Sequence, residues 1–211
     1  YRFLDIYIRG SVGEVWALAF FPAFMWALTK LFQEEKPVYV GLSAVFLALI
    51  IFSHNILALM FFLFSLFYLV VLIFKSKNVK PKLYNFLLSY VLGLGLSAVF
   101  WIPALLEKKY VRGLDVFDLK GNFPEIFQLI FPSWGSGFSG WQLSGQMSFQ
   151  IGVANLLVVF LSLLILFKLR KKVRSEITFF LISFFIIFFL MTKNSLILWE
   201  NTPLLNYFQF P

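Results

Sequence analysis

The sequence predicts an all-α fold, a polytopic integral membrane protein with about six transmembrane helices and one large extracytoplasmic loop. Of its 211 residues, 61% are hydrophobic, 21% are aromatic and only 13% are charged, and the mean hydropathy is +0.87. Several nearly uncharged runs approach the ~20 residues that cross a hydrocarbon core of about 30 Å. This composition excludes an ordinary soluble domain. We expect a single transmembrane domain over residues 1–211, and a chain beginning with Tyr1 rather than Met is expected to be a segment of a longer protein.

Six apolar runs separated by polar links predict the spans. They cover about 12–31, 38–53, 56–74, 83–106, 151–167 and 177–192, with the outer loop at 107–150. The second run is short, about 24 Å at 1.5 Å per residue, and joins the third through a tight hairpin. In the fourth run, Gly93 and Gly95 allow close helix contact, and Pro103 is expected to end or kink the helix.

The positive charges predict the orientation of these spans. The links at 30–37, 75–82 and 168–176 hold eleven lysines and arginines against three acidic residues, whereas the opposite side holds seven of each sign. The basic links are therefore predicted to be cytoplasmic. The N-terminal residues, the hairpin at 54–55, the loop and the C-terminus then lie outside, and the location is expected to be the plasma membrane. Because the lysines are divided among three tight turns, no nucleic-acid partner is predicted.

The polar content of the spans limits the possible chemistry. No basic or acidic residue falls in the middle of any predicted span, where an ion-coupled transporter usually places its coupling site. One histidine and no cysteine disfavour metal ligation, so no metal site and no cofactor is predicted, although a divalent metal held by carboxylates stays open. Any chemistry is expected at the outer surface.

A charged, glycine-spaced stretch from Arg9 to Glu14 stands directly before the first apolar run. Ser11 and Glu14 fit a capping box, in which each side chain accepts from the other residue's backbone N–H. The same geometry suits an anion, since a helix N-terminus, close-approach glycines and the Arg9 fork favour a phosphate or diphosphate. Arg9, Ser11 and Glu14 are therefore candidate phosphate-binding residues, with simple capping as the alternative.

The only histidine lies in the hairpin between the second and third apolar runs, at His54-Asn55. Asn55 is a good helix N-cap, which would explain the pair structurally. An ionisable group at the edge of an otherwise uncharged hairpin is also a functional candidate. His54 and Asn55 are therefore candidate donor or acceptor contacts.

The loop carries two further candidates, Trp134 and Trp141. Tryptophans near a membrane usually form an interfacial belt, and residues 123–131 would form an amphipathic segment lying on the surface. The alternative is a platform on which a sugar or lipid stacks. Asp115, Asp118 and Glu125 could serve as bases, but no pair of them has diagnostic spacing.

Several of these stretches together resemble one group of bacterial membrane proteins, usually labelled "6-pyruvoyl-tetrahydropterin synthase-related" membrane domain proteins and close to YfhO-like proteins. Pterin chemistry is soluble and metal-dependent and has no matching residues here. The resemblance covers the whole chain and rests on the following motifs: Tyr1-Arg2-Phe3-Leu4-Asp5-Ile6-Tyr7-Ile8-Arg9-Gly10-Ser11-x-x-Glu14, Ser53-His54-Asn55, Phe131-Pro132-x-Trp134-Gly135, Phe149-Gln150-x-Gly152, and Ser195-x-x-x-Trp199-x-x-x-Pro203-x-x-x-Tyr207-Phe208-Gln209-Phe210-Pro211.

This resemblance implies a membrane glycosyltransferase of the GT-C type, which takes a sugar from a polyprenyl-phosphate donor on the extracytoplasmic face. The partners implied are a lipid-linked sugar donor and membrane lipids. The catalytic aspartate of that type normally lies in the first outer loop and is expected upstream of this chain, so Asp5 is not assigned as the base. The alternative is a non-catalytic transporter or assembly component for envelope polysaccharide or lipid.

Overall fold

The computed structural model describes residues 6–107, 110, 123–137 and 145–202. They form two compact units, the first containing 6–107 and 110 and the second containing 123–137 and 145–202. In the first unit the helices are α1 (Val12–Glu34), α2 (Pro37–Ser53), α3 (Asn55–Phe74), α4 (Val79–Leu96) and α5 (Ala98–Glu107). In the second they are α6 (Ile126–Ile130), α7 (Val153–Ile165), α8 (Lys171–Leu190) and α9 (Leu196–Asn201), with strands β1 (Gly135–Gly137) and β2 (Gly145–Gln146) and 3₁₀ turns at Leu166–Lys168 and Lys193–Ser195.

The structure confirms the predicted helical architecture. Fewer helices are long enough to span a membrane than the six that the sequence analysis predicted. Each of the six predicted ranges is largely helical. In the part of the chain that the structure describes, three helices are long and apolar enough to cross a membrane: α1, α3 and residues 173–190 of α8. The bent pair α4 and α5 would make a fourth, while α2 and residues 153–168 are shorter.

The bend in the fourth predicted run lies at Ser97 and not at Pro103, which corrects the sequence expectation. The axes of α4 and α5 differ by 68° there. The freed end of α4 is satisfied locally, because the buried Ser97 hydroxyl donates to the Gly93 carbonyl (2.9 Å) and the Trp101 indole N–H donates to the Leu94 carbonyl (2.9 Å). Pro103 is accommodated inside α5, which continues to Glu107. Two side chains at the bend therefore bond carbonyls near the end of α4.

The core of the first unit lies where α1, α2 and α4 pack together. Its largest fully buried apolar side chains are Phe24, Leu28, Leu31, Leu47, Ile50 and Phe86.

Two hydroxyl pairs attach α3 to this core. The Thr29 hydroxyl donates to the Met25 carbonyl, so the Tyr68 phenol, 3.1 Å away, donates to Thr29. The Ser65 hydroxyl likewise donates to the Phe62 carbonyl, so it accepts a hydrogen bond from the Tyr90 phenol. Interhelical hydrogen bonds of this kind contribute on average about 0.6 kcal/mol in membrane proteins.

The C-terminal end of α1 is held by a lysine that the sequence analysis counted only as a topogenic charge. The Lys82 ammonium is buried, donates to the Phe32 carbonyl (2.7 Å) and pairs with the Glu35 carboxylate (3.1 Å). Its position could have been anticipated, since Lys82 precedes buried Phe86, Ser89 and Gly93 at helical spacing on one face of α4. Lys82 therefore joins α4 to the end of α1.

Gly93 and Gly95 give a matched test of the contact between α2 and α4. A Cβ at Gly93 would lie 2.9 Å from both the Ala44 carbonyl oxygen and Leu47 Cδ2, whereas a Cβ at Gly95 would meet no atom within 4 Å. We expect Gly93→Ala to lower stability by about 1–3 kcal/mol through overpacking. Gly95→Ala is expected to raise stability by up to about 1 kcal/mol through helix propensity. Thermal unfolding of the two variants in detergent checks this, and shifts of the same sign would contradict the distinction between the packed and the open glycine.

In the second unit, the described part of the predicted loop contains regular structure. Leu129 of α6 is fully buried, and β1 pairs with β2 in parallel. A Cβ at Gly135 would lie 2.1 Å from the Gly145 carbonyl carbon, so glycine is required where the two strands meet. Among the described residues, these two strands of three and two residues are the only exception to the predicted all-α class.

Candidate functional site

The start of α1 is built by a left-handed glycine and lacks the predicted capping box. Gly10 has φ of +65°, and the Val12 N–H donates back to the Gly10 carbonyl (2.9 Å). Ser11 occupies the N-cap position, but its side chain makes no capping hydrogen bond. Neither half of the capping box forms, since the Ser11 side chain does not accept from the Glu14 amide and the Glu14 carboxylate is engaged by another residue.

That other residue is Arg9. Its Nη1 donates to Glu14 Oε2 and its Nη2 donates to Glu14 Oε1, both at 3.2 Å. Two parallel bonds between a guanidinium and a carboxylate fix their relative orientation. Both side chains are partly exposed, so the pair contributes at most about 1 kcal/mol to stability. Its main effect is to hold the Arg9 fork against the start of α1.

His54 joins the same cluster from the hairpin between α2 and α3. It is the N-cap of α3, and its Nδ1 accepts from the Leu57 N–H (3.3 Å). In the neutral imidazole the other nitrogen then carries the hydrogen. This nitrogen, Nε2, lies 3.7 Å from Glu14 Oε1, which is beyond hydrogen-bond distance but within ion-pair range. Glu14 therefore lies between a guanidinium and an imidazole.

Asn55, the residue expected to cap α3, does not do so. It is the first residue of the helix and is exposed, and its neighbour His54 supplies the cap. His54 has the extended backbone that N-cap residues adopt, with φ of −160° and ψ of 121°. The structural explanation that the sequence analysis gave for Asn55 thus applies to His54.

A glycine contact brings the start of α1 and the hairpin together. A Cβ at Gly13 would lie 2.2 Å from the Ser53 carbonyl oxygen, a distance at which no larger residue fits without movement of the backbone. Ser53 keeps its own hydroxyl bonded to the Leu49 carbonyl (2.6 Å). Gly13, which the sequence analysis treated only as part of a spaced motif, is therefore the residue that lets Glu14 approach His54.

The cluster formed by Arg9, Glu14 and His54 can recognise an anion more readily than it can catalyse proton transfer. Arg9 supplies a permanent positive charge, and Glu14 holds its guanidinium in a fixed direction through two hydrogen bonds. The His54 nitrogen that could accept a proton is engaged by the Leu57 N–H. Within the described ranges, no group of three or more histidine, aspartate or glutamate side chains could hold a metal ion.

The loop candidates that the structure describes, Glu125 and Trp134, lie in the second unit. Trp134 is 87% exposed, whereas Trp141, Asp115 and Asp118 lie outside the described residues. Glu125 precedes α6, and its N–H donates to the Gln128 side chain (2.8 Å). The two loop motifs used for the resemblance do meet, because the Gln150 side-chain amide donates to the Ile130 carbonyl (3.0 Å) and the Ser133 N–H donates to the Ser148 hydroxyl (3.3 Å).

Comparison with known protein families gives a match over nearly the whole chain. Residues 4–210 match the family model described as "6-pyruvoyl-tetrahydropterin synthase related domain; membrane protein". No curated protein and no solved structure matches the chain.

Proposed function

The chain belongs to the 6-pyruvoyl-tetrahydropterin synthase related domain family of membrane proteins, and from this premise we propose that it is part of a GT-C type glycosyltransferase. The donor is a polyprenyl-phosphate-linked sugar. Transfer takes place at the extracytoplasmic face of the bacterial plasma membrane, in envelope glycan or glycolipid assembly. The observation that carries this proposal is the cluster in which Gly13 allows Arg9 and Glu14 at the start of α1 to meet His54.

In the proposed reaction, the acceptor hydroxyl oxygen attacks C1 of the donor sugar with inversion. The hydroxyl proton passes to a carboxylate that is not assigned among the described residues. The bond between C1 and the phosphate oxygen breaks, and polyprenyl phosphate leaves with the bonding electron pair. Arg9, oriented by Glu14, and the amides at the start of α1 near Ser11 stabilise the negative charge on that leaving group. His54, Asn55, Trp134 and Trp141 are proposed contacts to the donor or acceptor.

The proposal includes six membrane crossings, with the first residues of the chain, the loop and the C-terminus outside. The excess of positive charge in the three links supports it. The 17 residues of α2 would span about 26 Å at 1.5 Å per residue, so this helix would cross with little tilt and some local thinning of the bilayer.

Single cysteines test this orientation, because the chain has none of its own. Any cysteine outside residues 1–211 is replaced first. We expect Ser76→Cys, in the link between α3 and α4, to resist a membrane-impermeant maleimide added outside intact cells. Tyr7→Cys, at a highly exposed position before α1, is expected to react. Labelling of Ser76→Cys together with protection of Tyr7→Cys would invert the orientation.

The function itself is tested with the purified full-length protein in lipid vesicles and a radiolabelled polyprenyl-phosphate sugar. We expect time-dependent release of the sugar or its transfer to a lipid or glycan acceptor, together with stoichiometric formation of polyprenyl phosphate. Binding of the donor without cleavage, in the presence of a membrane extract that supplies acceptors, would contradict the enzymatic proposal.

The second candidate is a non-catalytic transporter or assembly component for envelope polysaccharide or lipid. This candidate needs no base, and His54 in the cluster does not offer one, because its acceptor nitrogen takes the Leu57 N–H. This candidate also uses Arg9 to hold a phosphate but breaks no bond. Donor binding that is lost in Arg9→Ala, without sugar release by the wild type, is the result expected for it.

A further inference from the structure

An apolar surface in the second unit has no role in the proposed transfer. Along α6 and the turn after it, five side chains are exposed although Leu129 between them is fully buried. We call them the α6 patch, and they are Ile126, Phe127, Ile130, Phe131 and Trp134. Phe131 is 66% exposed and Trp134 is 87% exposed. We propose that the α6 patch lies in the bilayer interface, with its apolar side chains among the lipid headgroups and upper acyl chains.

Hydrogen bonds hold α6 beside the start of α7. The Ile151 N–H donates to the Leu129 carbonyl (3.0 Å), and the Gln150 side chain donates to the Ile130 carbonyl (3.0 Å). Gly152 is the N-cap of α7, so these two bonds start one and two residues before that cap. The Ser148 hydroxyl accepts from both the Ser133 and the Gln150 N–H groups, which attaches the turn after α6 as well. The α6 patch is therefore fixed near the level at which α7 starts.

The surface of α7 identifies lipid as the occupant. Among the described side chains of α7 none is buried, and Val153, Leu157, Val158, Phe160 and Leu161 are exposed. In a protein of a membrane family, a helix with such a surface has hydrocarbon as its surroundings. The α6 patch continues this apolar surface beyond the start of α7. Its aromatic side chains, Phe127, Phe131 and Trp134, suit a membrane interface, where aromatic residues are enriched.

The lack of charged residues in the α6 patch also favours lipid as its surroundings. From Ile126 to Trp134 the chain contains no charged residue, and the nearest carboxylate, Glu125, stands before the first residue of α6. A short amphipathic segment with one side against its own unit and an uncharged apolar side outward is suited to lie in the interface plane, about 5–10 Å into the headgroup and acyl boundary. This inference does not depend on the proposed glycosyl transfer.

Spin labels on single cysteines test the proposal. The full-length protein carrying Ile130→Cys, Phe131→Cys or Trp134→Cys is reconstituted into phosphatidylethanolamine and phosphatidylglycerol vesicles. Power saturation then compares collisions with oxygen, which is concentrated in lipid, and with a water-soluble nickel chelate. Val158→Cys on α7 is the lipid standard, and Lys193→Cys, exposed in the turn after α8, is the aqueous standard. Native circular dichroism of each labelled variant confirms that it is folded.

We expect the labels in the α6 patch to collide with oxygen more often than with the nickel chelate, with a depth between those of the two standards. Nickel accessibility equal to that of Lys193→Cys at all three positions would overturn the proposal by placing the patch in water. Low accessibility to both reagents would overturn it too, since that result means that protein covers the patch. Agreement among the three positions excludes an effect of one damaged variant.

Discussion

Replacement of Arg9 by alanine is expected to slow sugar release from a polyprenyl-phosphate donor by about 10²–10³-fold, the usual loss when one preorganised donor to a developing anion is removed. The reason is the position of the guanidinium, which Glu14 holds at the start of α1 through two 3.2 Å hydrogen bonds. A permanent charge with fixed direction costs no reorganisation when the phosphate leaves. The measurement is single-turnover release of radiolabelled sugar by the full-length protein in vesicles.

Three further variants separate a phosphate role of Arg9 from a merely structural one. Arg9→Lys keeps the charge but loses the fork, so an intermediate loss is expected. Glu14→Gln removes the charge that orients the fork but keeps the guanidinium, and a glutamine oxygen can still accept one of its bonds, so it should lose less activity than Arg9→Ala. Lys77→Ala, at an exposed lysine in a link far along the chain, should behave as wild type. Unchanged sugar release by Arg9→Ala would remove the phosphate role of Arg9.

The helical part of this fold is largely readable from the sequence, because long uncharged runs in a membrane have to satisfy their own backbone groups. All six predicted ranges contain helix. The number of full-length spans was less predictable, since α2 and residues 153–168 are shorter than the three helices that could cross a membrane singly. The bend at Ser97 was also missed, because Pro103 is the stronger sequence signal although it sits inside α5.

At the candidate site, the sequence identified the residues but not their partners. Arg9, Glu14 and His54 stood out as polar residues beside apolar runs. Local spacing then suggested a Ser11–Glu14 capping box and an Asn55 cap. The structure instead pairs Glu14 with Arg9 and uses His54 as the cap. Both differences are local, because Glu14 pairs with a residue five positions before it and His54 accepts from the N–H three positions after it. The most favoured capping residue types therefore did not identify the caps that form. The roles of these residues in binding stay predictions.

A contact that the sequence could not reveal leads to the second large expected effect. Gly13→Ala is expected to lower stability by about 3 kcal/mol, the upper part of the usual range for overpacking. The added Cβ would lie 2.2 Å from the Ser53 carbonyl oxygen, and a backbone atom cannot move aside as the end of a flexible side chain can. The start of α1 must then shift away from the hairpin, which also separates Glu14 from His54. Sugar release should fall together with stability.

The control for this substitution is Gly41→Ala in α2, because a Cβ at Gly41 meets no atom within 4 Å. Helix propensity alone should then leave the control unchanged or stabilise it by up to about 1 kcal/mol. Thermal unfolding in detergent, followed by circular dichroism, measures both variants.

A second comparison locates the obstacle. Because the clash involves the Ser53 carbonyl oxygen, adding Ser53→Gly to Gly13→Ala should not restore the unfolding temperature. Recovery in the double variant would assign the obstacle to the Ser53 side chain, and an unchanged unfolding temperature in Gly13→Ala alone would show that α1 and the hairpin do not approach this closely.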